Sequence, residues 1–317
     1  MKKVIIILVF LFYKNSFSQE VNLPQYINYM GDNSFMISPA YAGIGTDFQI
    51  RLNGVSQWIG IKNAPDTQSI YLEKRIGDHY GAGLVVFNDK NGNTSQQGVK
   101  MSLASHLILS KVHDSFFSFA LSYNLLSFKI DTQKFTSLTP ENVSTRQFNL
   151  SNFDVSFLYR FNRFSFNLNV SNILDKKKNN FAYDEPLKLR RYTGYFSYVF
   201  NRISHNFEIE PSVLVEYLES DKRSRTDVNL KARKKTGFGY FWAGISYSFL
   251  NDQYLKPNSI APLVGIKKDN FYVSYGFGIV TNKTQNYNIG THMITLGLDF
   301  ARKQSLARCT QKYYMFQ

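Results

Sequence analysis

Apolar and polar residues alternate along this chain with a period of two, over stretches longer than ordinary strands. The clearest is Arg163 to Ile173, where Phe164, Phe166, Leu168 and Val170 alternate with Ser165, Asn167, Asn169 and Ser171. Period two puts one set on each face of a strand, whereas helical spacing would mix the sets. The pattern recurs. Phe153, Val155, Phe157, Tyr159 and Phe161 share a face, as do Phe117, Phe119, Leu121, Tyr123 and Leu125. Near the end, Ile294, Leu296, Leu298 and Phe300 alternate with Thr295, Gly297 and Asp299.

The alternation predicts fourteen strands, at 46–56, 67–76, 79–88, 95–109, 115–128, 151–161, 164–174, 189–200, 206–218, 225–233, 238–249, 259–267, 271–281 and 291–301. Most reach ten residues. Soluble strands average about five or six, while a tilted membrane strand needs about nine to eleven. The connections sort by parity. Gly77-Asp78, Ser110 to Asp114, Asn162-Arg163, Asn201 to His205, Lys234 to Gly237 and Lys268 to Asn270 are short. The others (Asp89 to Thr94, Asp131 to Leu150, Asp175 to Lys188, Glu219 to Ser224, Asn251 to Asn258, Asn282 to Gly290) are mostly longer and polar. Short turns at one end and long loops at the other mark a transmembrane antiparallel β-barrel. Fourteen is even, so both termini are expected on one side, the periplasm. Strands in hydrocarbon cannot leave N–H and C=O groups unpaired, so the last strand must pair with the first.

The N-terminus refines this. Lys2 and Lys3 precede the apolar run Val4 to Tyr13, followed by Ser16-Phe17-Ser18. This reads as a signal peptide over 1–18, too short to span a bilayer as a helix. Residues 19–45 hold Pro24, Gly31, Pro39 and Gly43 and no long alternation. They form either a plug inside the lumen or a periplasmic lead-in. The barrel then covers 46–301 and a periplasmic tail 302–317.

Composition agrees: Phe 28 and Tyr 21 against Trp 2 suit lipid-facing rings and interfacial girdles. The formal charge of +14 falls to +11 once Lys2, Lys3 and Lys14 leave with the signal. In an exported chain with dispersed basic residues this suits outer-membrane lipid or an acidic protein, not nucleic acid. The single Cys309 permits no internal disulfide. Several strands look apolar on both faces: Phe116 adjoins Phe117, Phe271 adjoins Tyr272, and Tyr195 and Val199 oppose Tyr192, Phe196, Tyr198 and Phe200. That predicts a lumen filled by side chains, by the N-terminal segment or by a partner.

Catalytic and metal motifs do not emerge. His79, His106, His113, His205 and His292 are scattered. Gly81-Ala82-Gly83 lies within a strand and reads as close packing or a bend. Glu208 and Glu210 read as two lumen-facing acids. No enzyme and no cofactor are expected.

The stretch Ser38-Pro39-Ala40-Tyr41-Ala42-Gly43, then Arg51, then Gln57-Trp58-Ile59-Gly60, then Ala64-Pro65-Asp66-Thr67 resembles the PorP/SprF family of Bacteroidetes. Ser38 replaces the usual Asn, and Asn63 a common Gly. The resemblance implies an outer-membrane component of the type IX secretion and gliding system. Its partners would be a large secreted adhesin or other cargo of that system, or further periplasmic or outer-membrane parts of the machinery. Pro39, Ala40, Tyr41, Gly43, Arg51, Gln57, Trp58, Gly60, Pro65 and Thr67 are the candidate site. They serve either barrel-entry geometry or partner contact, and Trp58 suits the outer interface belt. The favoured function is binding an adhesin's C-terminal domain at the cell surface, or supporting its export. A small-solute or lipid transporter is the alternative, and an outer-membrane hydrolase a third reading.

Overall fold

A computed structural model describes residues 27–45, 47–77, 79–110, 113–131, 146–175, 188–204, 206–253, 258–281 and 289–300. The signal peptide (1–18), the start of the 19–45 segment, His205, and the 302–317 tail with Cys309 lie outside the described residues. The strands are β1 (Phe48–Ser56), β2 (Asp66–Ile76), β3 (Tyr80–Asn91), β4 (Thr94–Ser110) and β5 (Ser115–Ile130). They continue with β6 (Arg146–Phe161), β7 (Phe164–Ser171), β8 (Arg191–Tyr198), β9 (Phe200–Ser204) and β10 (Phe207–Leu218). The last five are β11 (Ser224–Thr236), β12 (Gly239–Leu250), β13 (Ser259–Lys268), β14 (Phe271–Val280) and β15 (Thr291–Phe300).

Neighbours in sequence pair antiparallel around the sheet, and β8 and β9 are two pieces of one barrel strand, both paired with β10. β1 pairs with β15 from Phe48↔Phe300 to Ser56↔His292, which closes the ring. The result is the expected closed fourteen-strand antiparallel barrel. Closure leaves no sheet edge, as hydrocarbon requires. Among the described residues no helix is long and apolar enough to cross a membrane; the strands cross.

The alternation decides which residues face lipid. On β7, Ser165, Asn167, Asn169 and Ser171 are buried inward, while Phe166 and Leu168 are exposed outward. On β4 the outward apolar run from Val99 to Leu109 is long enough, when tilted, for a band about 25 Å tall. Rings meet across strands on this face, edge to face for Phe164–Phe196 at 4.7 Å and tilted for Tyr123–Phe153 at 5.1 Å and Phe119–Phe157 at 5.3 Å between centroids. Phe48 and Phe300 stack at 5.9 Å over the closing seam. Such pairs add to register specificity, because a one-residue slip would turn them inward.

Three expectations need correction. The β3–β4 connection is a two-residue turn, Gly92-Asn93, with both strands extended past Asp89 and Thr94. Gly92 supplies the left-handed backbone the tight turn needs (φ 61°). Residues 201–204 are strand rather than turn, and the barrel strand breaks at Val199, whose N–H donates to the Arg163 carbonyl. The lumen wall is also more polar than the two-faced aromatic strands suggest. Inward positions are mostly Ser, Asn, Thr, Arg, Lys, Asp and Glu, and most inward rings gather where the N-terminal segment packs, with Phe128 in a separate cluster beside Ile130 and Leu189.

Leu296 faces lipid at mid-strand on β15, next to the seam. Leu296→Arg should lower barrel stability by about 2–4 kcal/mol, read as a shift in urea unfolding in liposomes. The same change at exposed Lys222 should leave it unmoved.

Candidate functional site

Residues 29–45 lie inside the barrel, nearly all of them buried. They contain one charge, Asp32. Its backbone is left-handed (φ 53°), a conformation Asp tolerates. The carboxylate meets three donors from the wall: Lys231 Nζ at 2.5 Å, Arg233 Nη2 at 2.7 Å and the Tyr240 hydroxyl at 2.5 Å. Lys231 also donates to the Met30 carbonyl at 2.7 Å, and Arg51 Nε to the Asp32 carbonyl at 3.4 Å. Burial alone would raise the Asp32 carboxyl, but the Arg233 and Lys231 cations outweigh it and hold it at about 2.

The cations are themselves matched. Arg233 and Lys235 reach Glu208 at 3.5 and 3.0 Å, and Arg51 and Lys267 each reach Asp299 at 2.5 Å. Aromatic faces back them: Arg51 over Tyr272, Lys231 over Trp242 and Arg233 over Tyr240, at 5.1, 4.5 and 4.8 Å. Tyr29 adds a second tie, donating to Asp227 at 3.3 Å and accepting from Asn229 at 3.0 Å. The segment is therefore a plug, and this network is its lock.

The far end of the plug seats on the opposite wall. Pro39–Tyr41 form a 3-10 turn, capped by Ser38 Oγ, which accepts from the Ala40 N–H at 3.2 Å. Ser caps such a turn as well as the usual Asn does. Arg75 donates to the carbonyls of Gly43 and Gly45 at 2.9 and 3.0 Å, and the Gly43 N–H donates to Glu73 at 3.2 Å. His106 Nε2 meets the Ala42 carbonyl at 3.0 Å, so that nitrogen carries the proton, and Nδ1 accepts from Ser118 at 2.7 Å. The Gly81-Ala82-Gly83 run is the seat. A Cβ on Gly81 would collide with the Ala42 carbonyl, and one on Gly83 with the Phe35 ring. Gly43 is left-handed (φ 76°) and approaches Gly81 and Arg75 too closely for a side chain.

The candidate residues thus divide. Pro39, Ala40, Tyr41, Gly43 and Arg51 are buried and join plug to wall. Gln57, Trp58, Gly60 and Pro65 belong to the β1–β2 loop at the long-loop end, where they build a braced knuckle. The Gln57 N–H donates to the Pro65 carbonyl at 2.9 Å and the Ile61 N–H to the Trp58 carbonyl at 3.1 Å. Trp58 is half-buried and left-handed (φ 49°), and Gly60 follows at φ 102°. Thr67, the second residue of β2, donates to Asp89 on β3. The knuckle is tied to its neighbours, since Ile59 exchanges backbone bonds with Ile289 and Gly290, and Gly92 N–H donates to the Asn63 carbonyl. Its tip shows Ile59 and Ile61, and beside them Ile289 of the β14–β15 connection is 61% exposed.

The lock was missed from the sequence, although two signals existed. Asp32 is the lone charge in its segment, and Arg51, Lys231, Arg233, Lys267 and Asp299 are charges on inward faces of apolar strands. Glu208 and Glu210 do face the lumen; Glu208 neutralises Arg233 and Lys235, and Glu210 accepts from Tyr195 at 3.5 Å. Among the described residues no group of three or more His, Cys, Asp or Glu could hold a metal ion. The His106–Ser118 pair is buried beneath the plug. At the long-loop end Ser56 donates to Asp66, while His292 pairs with Tyr275.

A closed strand ring, a lipid-facing apolar band and a locked internal plug define an outer-membrane β-barrel. The family model for the type IX secretion system membrane protein PorP/SprF matches residues 18–298, and the chain belongs to that family. Among solved structures it is similar to the CymD monoaromatic hydrocarbon channel, with 10% identity, 89% of this chain and 96% of that one covered, and a TM-score of 0.52. The Ralstonia pickettii toluene transporter TbuX gives 11% identity, 86% and 93% coverage, and a TM-score of 0.49. At 10% identity the likeness to CymD is one of fold alone. No curated protein matches the chain.

Asp32→Ala should weaken plug docking by about 3–5 kcal/mol, since it leaves the buried Lys231 without its carboxylate. The readout is the urea needed to expose the plug to protease. The Asp32 contribution should be whole above the ordinary carboxyl value of 3.8 and vanish as pH falls through about 2. Mobility of a spin label at Ser34 should rise over that window, and Asp32→Asn should abolish the pH step.

Proposed function

We propose that this barrel is a non-enzymatic component of type IX secretion in the outer membrane. It binds the C-terminal domain of a large secreted adhesin at the cell surface, or supports that adhesin's export. The short-turn end with both termini faces the periplasm, and the long-loop end faces outward. The observation that carries this reading is the knuckle at Trp58 to Gly60. A braced loop with exposed isoleucines, at the end away from the short turns, suits a protein partner better than water. Rigid exposed apolar groups make good anchors because little entropy is lost on binding. The locked plug supports the same reading, because it fills the lumen that a solute channel would need.

Tagged barrel extracted in gentle detergent should bring down one very large exported protein. Ile59→Asp with Ile289→Asp should reduce that recovery by roughly 30-fold, the effect of losing an interface anchor of about 2 kcal/mol. Recovery of the barrel alone in repeated preparations would refute the proposal, as would solute-dependent conductance of the plugged barrel in liposomes.

A further inference from the structure

Among the described residues, two grooves in the outward apolar band differ in chemistry. One, of about 850 Å³, lies over β15 and β1 to β6 in the long-loop half; Leu52, Ile70, Val86 and Leu125 form its floor. Its polar edge is an uncharged ladder in which Asn88 donates to Gln68 at 2.9 Å and Gln97 to Asn88 at 3.1 Å. The other, of about 580 Å³, lies over β10 to β14 in the short-turn half, and its lining carries a cation, Lys234. Both volumes fall in the ~300–1,000 Å³ range of small-molecule sites.

The strand register builds the second groove in two rows. The row nearer the short turns runs Phe207, Lys234, Phe241, Ile266 and Val273. The row above runs Ile209, Ala232, Ala243, Val264 and Tyr275. Ala232 and Ala243 are cross-strand partners, so two methyl groups form a low floor between bulkier walls. Lys234 stands between two phenylalanines on the lipid side. It is exposed and in no ion pair among the described residues. Lys268, also exposed and outward, closes β13 one row nearer the short turns, and Gly239 beside it leaves the surface there bare.

A groove on a lipid-facing wall fills with chain, because water there is excluded. A lysine at the edge of the band extends its ammonium to the headgroup level and seeks an anion. We propose that this groove binds one phospholipid, with an acyl chain over Ala232 and Ala243 and its phosphate between Lys234 and Lys268. The uncharged edge of the other groove gives no such preference for an anionic headgroup.

The test is native mass spectrometry of the delipidated barrel titrated with phosphatidylglycerol or phosphatidylcholine. One phosphatidylglycerol should be retained in preference. Lys234→Gln with Lys268→Gln should weaken that retention roughly 30-fold, from roughly fivefold per basic group, and the double Arg variant should restore it. Ala243→Phe should fill the floor and displace the lipid, while Val99→Phe in the other groove should not. Heat-modifiable gel mobility confirms that each variant is a folded barrel. Equal retention of the two lipids, or indifference to either the lysine or the Ala243 change, would overturn the proposal. So would cross-linking of an Ala243→Cys chain to a second copy or another protein, which would make the groove a protein interface.

Discussion

Hydrocarbon offers no hydrogen bonds to a peptide group, and everything else in this fold answers that constraint. Each strand must be paired on both sides, so the sheet closes through β1 and β15. Closure fixes one face toward lipid and one toward a lumen, and the alternation of Phe with Ser and Asn on β7 is that division written in sequence. A closed wall of fourteen strands encloses more space than its inward side chains fill. The chain fills the rest with its own residues 29–45.

Filling a polar lumen with an apolar segment creates a second problem. The wall is lined with Arg, Lys, Asp and Glu that must find partners out of bulk water. Covering them with hydrocarbon would be costly, and the plug avoids this by carrying one carboxylate at the point where Lys231, Arg233 and Tyr240 converge. Elsewhere it offers backbone: Arg75 and His106 are satisfied by the carbonyls of Ala42, Gly43 and Gly45. Apolar contacts then supply area, with Phe35 over Gly83 and Met30 beside Gly244. Buried ion pairs add little net stability, but a displaced plug would leave buried charge uncompensated. Asp32 therefore sets where the plug sits more than how tightly the barrel holds together.

The barrel was legible because its rules are local. Period-two alternation placed all fourteen strands, and loop parity gave the orientation of the two ends relative to each other. The misreadings came where local signals were ambiguous. Asp89 to Thr94 is polar enough for a loop, yet its side chains continue two strands beyond the apolar band. Asn201 to His205 resembles a turn, yet most of it extends the broken strand after Val199. The lock could be suspected from its isolated charges but not assembled, because Asp32 and its partners Lys231 and Arg233 stand about 200 positions apart in the chain. The motif was visible, but its division was not. Nothing local distinguishes Pro39 to Gly43, which seat a plug, from Gln57 to Gly60, which brace a rim.

That division bears on how the barrel works. Plug-seating residues and rim residues lie at opposite ends of β1, and Arg51 on that strand touches both the plug backbone and the closing strand through Asp299. The first strand is thus the common support of the seal, the seam and the knuckle. A partner at the rim would press on an element that is hydrogen-bonded along its whole length to β2 and β15. Such an element is held on both sides along its length. A barrel that holds a large protein, as proposed, needs that support more than it needs a passage. In this reading, the packing of ions and rings into the lumen serves the grip at the rim.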